Sequence, residues 1–374
     1  MQFIDLKHQY SLYQAEIDER MRAVLDHGRF IMGPEIPELE TELANYAGTK
    51  HAVTVSSGTA SLEIALRALG IGPGDEVVTV PFTWISSAEV IKLVGATPVF
   101  VDIEADSFNM NVELLEAAIT PRTKAILPVC LFGQLPDFAR MNEIAAKHGV
   151  PVLEDGAQSF GATQNGRRSC SLTTVGSTSF FPAKPLGCFG DGGALFTDDD
   201  ELATSLRAIR THGGTRRHHH TLVGTNGRMD TLQAAVVLAK LPHFEQEVRN
   251  RGEIGARYSD LLRDDCDVPE VDVGNTHVYA QYTIRVPDRD FVAASLKEQG
   301  IPSAVYYPKC LHEQPIFADL GYEYGAFPAS EKASRKVLSL PMHPFLSASD
   351  QDRVVDAVKS AIAQTTTGAV AQAA

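Results

Sequence analysis

The sequence predicts an α/β fold, with a largely parallel β-sheet covered by helices on both faces and a smaller α+β region after it. Two observations carry this reading. Between about residues 50 and 210, short apolar runs alternate with segments of helical periodicity, and strands alternating with helices pair in parallel. After residue 228 the alternation stops, and one long helical segment leads into mixed signals. The expected units are 1–240 (large, α/β), 241–363 (small, α+β) and a disordered tail over 364–374.

In chain order, 51–55 reads as a strand, and Leu62, Ala65, Leu66 and Leu69 then fall at i, i+3, i+4 and i+7, one face of a helix. Strands follow over 76–80, 99–103, 125–130 and 150–154, with a helix over 138–148 before the last. The run 175–181 ends at Pro182, and 194–197 resumes as a strand. Residues 230–262 are helical, with Leu232, Ala235, Val236 and Ala239 on one face; Pro242 predicts a break or kink near Leu241. Strand signals over 278–286, a helix over 291–300 and a strand over 337–340 precede Pro341-Met342-His343-Pro344. The final residues are small and polar, a composition that favours disorder.

The chain has 374 residues, 44% of them hydrophobic and 21% charged, enough for a sizeable core in a soluble protein. A formal net charge of −14 argues against a nucleic-acid partner. The five cysteines are scattered and never spaced C-x-x-C, which argues for a reducing compartment and against a zinc site or disulfide framework. The N-terminus lacks a signal-peptide layout and no apolar run is long enough to span a bilayer, so the expected location is the cytoplasm, away from membranes.

Lys184 stands alone in the turn Pro182-Ala183-Lys184-Pro185-Leu186-Gly187. Pro185 biases it away from helical backbone, and Gly187, Gly190, Gly192 and Gly193 permit close backbone approach. A lysine among apolar and glycine neighbours is a candidate nucleophile, because desolvation frees its lone pair. Ser56-Ser57-Gly58-Thr59-Ala60-Ser61, between a strand and a helix, offers backbone N–H groups and hydroxyls to a phosphate. Asp155, in Glu154-Asp155-Gly156-Ala157-Gln158 at a strand's carboxyl end, can hold a positively charged ring nitrogen, and Gln158 a neighbouring oxygen. Trp84 can lie flat on a planar ligand. Each also has a plain reading: loop lysine, helix caps, core aromatic. Together they supply what pyridoxal 5′-phosphate needs: a phosphate cradle, a ring carboxylate, a stacking ring and a Schiff-base lysine. Successive residues of a strand alternate faces, so His218-His219-His220 cannot converge on one ion, and no metal is expected. No G-x-G-x-x-G follows a strand, which disfavours a nicotinamide enzyme.

The order cradle, aromatic, aspartate, lysine resembles fold-type I pyridoxal-phosphate (PLP) enzymes. The resemblance narrows on Val55 to Leu62, Gly72-Pro73-Gly74-Asp75-Glu76-Val77, Ile119 to Ile126, Glu154-Asp155, Ser179 to Gly193, and Ser339 to Pro344. These look like the nucleotide-sugar aminotransferases of the DegT–StrS family, over about residues 3–360. The likeness is greatest to enzymes that aminate the 3-keto group of UDP-2-acetamido-2-deoxy-hexuronic acid in bacterial O-antigen synthesis. It implies a mostly parallel seven-stranded sheet, a glutamate donor and a homodimer with shared active sites.

The resemblance also implies roles. Lys184 would carry the cofactor and Asp155 would pair with its ring nitrogen. Trp84 would stack on the ring, and Gly58, Thr59, Ser179 and Gln158 would bind phosphate or ring substituents. Asn226 would reach the phosphate of the other subunit, and Arg228 would face the sugar, with the basic segment 216–220 adding positive charge. Tyr306 and Tyr307 would bind the substrate with Arg228; where relatives often read His-Tyr-Pro, this chain has Tyr306-Tyr307-Pro308, which leaves the sugar contacts at Tyr306 open. Two half-reactions through one site imply ping-pong kinetics. A neutral UDP- or dTDP-linked 3-keto or 4-keto hexose is the alternative acceptor. Lys184 counts against a sugar dehydratase, whose lysine is replaced by histidine; a cofactor-binding regulator without turnover is a further alternative. The nucleotide and the sugar's stereochemistry stay open.

Overall fold

A computed structural model describes residues 1–216 and 218–372. The chain opens with two helices, α1 (Leu6–His27) and α2 (Glu35–Ala47), before β1 (His51–Val55) and α3 (Gly58–Ala68). Then come β2 (Glu76–Thr79), α4 (Ser86–Leu93), β3 (Thr97–Phe100), α5 (Val112–Ala118), β4 (Thr123–Ile126), α6 (Phe138–His148) and β5 (Leu153–Asp155). After the short pair β6 (Thr163–Gln164) and β7 (Arg167–Arg168) follow β8 (Val175–Ser179), β9 (Gly193–Thr197) and α7 (Asp200–Arg210). A small exposed hairpin, β10 (Gly214–Arg216) with β11 (His219–His220), leads to the long α8 (Thr231–Leu262). The remainder is β12 (Tyr282–Arg285), α9 (Arg289–Glu298), α10 (Pro328–Lys336), β13 (Val337–Leu340) and α11 (Ala348–Gln372).

Among the described residues, β3-β2-β4 and β5-β8-β9-β1 form one sheet, because parallel bridges Ile126–Val152 and Val129–Asp155 join β4 to β5. Six of its seven strands run parallel, and β9 runs against both neighbours. The parallel strands therefore end on one edge, where the loops that carry function gather. Both faces are covered, and the main core runs from Val53 and Leu62 through Val78, Ile126 and Leu153 to Leu206. A separate core of Tyr258, Tyr282, Leu296, Leu338 and Val358 holds the later elements around the antiparallel pair β12–β13.

Helix ends follow local chemistry. Ser57 caps α3 by accepting the N–H of Ala60 at 3.0 Å, and Asp137 caps α6 by accepting that of Arg140 at 3.0 Å. Some bounds differ from the sequence reading. Strand β3 begins at Thr97, because its register on β2 pairs Thr97 to Phe100 with Glu76 to Thr79, and Asp102 then leaves the ladder to accept the N–H groups of Ala329 and Ser330. Strand β4 ends at Ile126, two residues before Pro128, which has no N–H for a ladder. Pro242 does not end α8: buried Leu238 and Ala239 before it and Phe244 after it hold the helix on the core. Of 278–286, the first residues cross to the large sheet's loops, Val278 donating to the carbonyl of Gly133 at 3.0 Å, and only Tyr282–Arg285 pairs as strand. The last helix runs to Gln372, into the segment expected to be disordered; residues 217, 373 and 374 lie outside the described residues.

Candidate active site

Asp155 ends β5 at the carboxyl edge of the sheet, 6% exposed. Its Oδ2 accepts the Ser87 hydroxyl at 2.9 Å and its Oδ1 the N–H of Ala157 at 3.2 Å. Burial raises its pKa above the usual aspartate range, while these two bonds and the charge of Lys184 pull it back. Lys184 lies in the turn after β8, its N–H bonded to the carbonyl of Phe181 at 2.8 Å. The residue is half-buried, and desolvation lowers the pKa of its amine while the charge of Asp155 raises it. Each charge shifts the other, so the fold brings together the acid and the amine that lie far apart in the chain.

The cradle sits beside them. With Ser57 committed to Ala60, the N–H groups of Gly58 and Thr59 in the first turn of α3 have no helical acceptor. A Cβ on Gly58 would lie 2.6 Å from the Cβ of Ser179, so only glycine lets the helix start pack on the end of β8. The Thr59 hydroxyl bonds that of Ser86 at 2.8 Å, and Ser179 Oγ accepts the N–H of Phe181 at 3.2 Å. Gln158 is 4% exposed and already braced: Oε1 accepts the N–H of Phe132 at 2.8 Å, and Nε2 donates to the Tyr307 hydroxyl at 3.3 Å, leaving one N–H in reserve.

Trp84 is 58% exposed at the rim, its ring tilted 39° from that of Tyr307 at 6.1 Å between centroids. Tyr307 also meets the buried Phe82 edge-on at 6.3 Å. Tyr306 is half-buried against Phe3, with centroids 6.4 Å apart, and burial raises its pKa. The loop carrying Asn226 and Arg228 is tied to the cradle, because the N–H of Ser56 donates to the carbonyl of Gly227 at 2.8 Å. Asn226 is exposed. Arg228 is half-buried, and its Nε is buried without a partner among the described residues. In the nearby basic segment Arg216, His219 and His220 are exposed, while Arg217 lies outside the described residues.

Two participants escaped the sequence reading. Ser86 and Ser87 open α4 and bond Thr59 and Asp155, a link between segments that no local pattern signals. Glu154 points to the opposite face of β5 from Asp155. It is fully buried, with Oε1 accepting the Ser169 hydroxyl at 2.6 Å and the N–H of Cys170 at 2.9 Å, and Oε2 without a partner. Burial pushes its pKa up to about 7. Among the described residues no helix is long and apolar enough to cross a membrane.

Residues 12–359 match the DegT/DnrJ/EryC1/StrS aminotransferase family. The UDP-2-acetamido-2-deoxy-3-oxo-D-glucuronate aminotransferase of Pseudomonas aeruginosa is 52% identical over 347 residues, 92% of this chain and 96% of that protein. A DegT DnrJ EryC1 StrS aminotransferase from Brucella abortus superposes with a TM-score of 0.94 at 44% identity, covering 97% of this chain and 99% of that one. NtdA from Bacillus subtilis, solved with bound cofactor PMP, gives a TM-score of 0.87 at 31% identity over 94% of this chain and 82% of that one.

Proposed function

The chain belongs to the DegT/DnrJ/EryC1/StrS aminotransferase family, and from that premise we propose that it moves an amino group from glutamate to C3 of a UDP-linked 2-acetamido-2-deoxy-3-keto-hexuronic acid, using pyridoxal 5′-phosphate. The observation that carries the reading is the gathering of Asp155, the Lys184 turn and the start of α3 at the carboxyl edge of the sheet. The acceptor is supported by the 52% identity to an enzyme named for that 3-oxo-glucuronate.

The residues fit the cofactor. The open N–H groups of Gly58 and Thr59 at the start of α3, with the Thr59 and Ser179 hydroxyls, suit a phosphate, and the tight packing of Gly58 on Ser179 fixes where they point. Trp84 would cover the ring and Gln158 would offer its spare N–H to a substituent. When bound, pyridoxal phosphate supplies an electron sink for the negative charge that develops at the amino-bearing carbon. Asp155, held by Ser87 and Ala157, would keep a proton on the ring nitrogen. Lys184 would carry the cofactor at rest, and its desolvated amine would then take and return the proton at the reacting carbon.

Arg228 would grip the acceptor's carboxylate, since a planar fork of donors matches it and its Nε lacks a partner among the described residues. Exposed Asn226, bridged to Thr211 beside the cradle, would complete the phosphate site of a second copy, giving a homodimer with shared sites. The division into units at about residue 240 is supported by the separate core around Tyr258 and Leu338. The test is a panel of UDP- and dTDP-linked 3-keto and 4-keto sugars, or the matching amino sugars in reverse. Preferential turnover of the UDP 3-keto uronate is expected; equal or better turnover of a neutral sugar would overturn the acceptor assignment.

A further inference from the structure

The turn that bears Lys184 is gripped from α8 at two points. Lys240, 3% exposed, donates from Nζ to the carbonyl of Gly187 at 2.8 Å. Two helical turns earlier on the same face, Gln233 Oε1 accepts the N–H of Phe189 at 2.9 Å. The Lys240 ammonium also lies over the Phe189 ring, 4.7 Å from its centroid, and Tyr10 of α1 meets that ring edge-on at 5.9 Å. The other side of the turn is tied to the end of β8, where Cys188 N–H donates to the carbonyl of Phe180 at 2.8 Å. Gly187 leaves no slack: a Cβ there would lie 2.5 Å from the carbonyl oxygen of Pro182.

A buried ammonium carries a desolvation cost that an apolar residue avoids. Its neighbours Leu238 and Ala239 are apolar and buried, so the helix could have packed here without a charge. Buried Glu247, two turns further along α8, offsets part of that cost, while the ammonium's hydrogen bond and ring contact go to one carbonyl, three residues beyond Lys184, and one aromatic ring. Both contacts belong to the same turn.

We propose that Lys240 is a positioning residue for amino transfer: its ammonium holds the 187–190 turn on α8 and so fixes the backbone from which the Lys184 amine reaches the reacting carbon. This rests on Lys184 as the cofactor-bearing lysine. A reacting group displaced by 1 Å loses up to about a hundredfold in rate, so a loosened turn is felt in catalysis before it is felt in binding.

Lys240→Met keeps the length of the side chain and removes its donor and charge. In the cofactor-free full-length protein, amide hydrogen exchange over 184–190 should accelerate by at least about tenfold, with the rest of α8 and the sheet unchanged. In the holoenzyme, kcat should fall by at least about tenfold while KM for the amino donor stays within about threefold, and Lys240→Arg should recover most of the loss. If Lys240→Met does not fold, Gln233→Leu removes the other grip and should give the same localised exchange and the same loss in kcat, both smaller. Unchanged exchange over 184–190, unchanged kcat, or faster exchange spread evenly through α8 and the sheet would overturn the proposal. Because exchange is read without cofactor, a failed clamp is told apart from a wrong assignment of Lys184, which peptide mapping of the reduced holoenzyme reads separately.

Discussion

Ser87, in the first turn of α4, donates its hydroxyl to Oδ2 of Asp155 across 68 residues of sequence, at 2.9 Å. The bond lowers the pKa of a carboxyl that burial raises, so it helps keep Asp155 ionised. A hydrogen bond to a charged group contributes roughly 1.5–3 kcal/mol. Ser87→Ala should therefore cut kcat by roughly tenfold or more with the fold intact, checked by steady-state kinetics beside a thermal melt. Wild-type kcat in Ser87→Ala would mean that Asp155 needs no such support.

Asp155→Asn keeps the shape and removes the charge that favours a protonated ring nitrogen. Cofactor binding should survive, read by absorbance after dialysis, while turnover falls by orders of magnitude. Near-wild-type turnover would assign the role to another acid.

Glu154 gives a pH dependence. Its folded pKa, about 7, stands above the ordinary 4.5, so the folded state holds its proton more tightly than the unfolded state does. Its contribution is full below pH 4.5 and is lost as pH rises through 7. The loss is on the order of 3 kcal/mol. Glu154→Gln should remove this component, so denaturant titrations at pH 5 and pH 8 should show a smaller fall in stability for the variant than for wild type. Identical falls would place the titration elsewhere.

Shared sites predict complementation. Inactive Lys184→Ala and inactive Asn226→Ala subunits, mixed under conditions of exchange, should regain part of the activity, because a hybrid dimer assembles one intact site. No recovery with exchange demonstrated would put Asn226 in its own subunit's site or in none.

Arg228→Lys keeps charge and loses the fork, so it should cost about 1–3 kcal/mol in kcat/KM for the 3-keto uronate and much less for the neutral 3-keto sugar. Equal losses on both would remove the carboxylate from the role of Arg228.

The alternation of apolar runs and helices was legible because parallel strands such as β2 and β5 are buried on both faces, and the position of the cradle, Asp155 and Lys184 at the sheet's edge was legible because each follows or ends a strand. Partners joined only by tertiary packing were not. Ser87 reaches Asp155, Gln158 reaches Phe132 and Tyr307, and Lys240 reaches Gly187 through no local pattern. The first helix was missed for a different reason: its buried residues are Gln9, Ile17 and Val24, too few and too far apart to give a helical period. At Pro242, where a break or a kink was expected, the core on either side carries the helix on without a break.

Every role proposed for the site depends on Lys184 carrying the cofactor. Borohydride reduction of the holoenzyme, followed by digestion and mass mapping, should place the pyridoxyl group on the peptide containing Lys184, and Lys184→Ala should lose at least about a hundredfold in rate while still binding cofactor through the α3 cradle. A pyridoxyl adduct on any other lysine would contradict it.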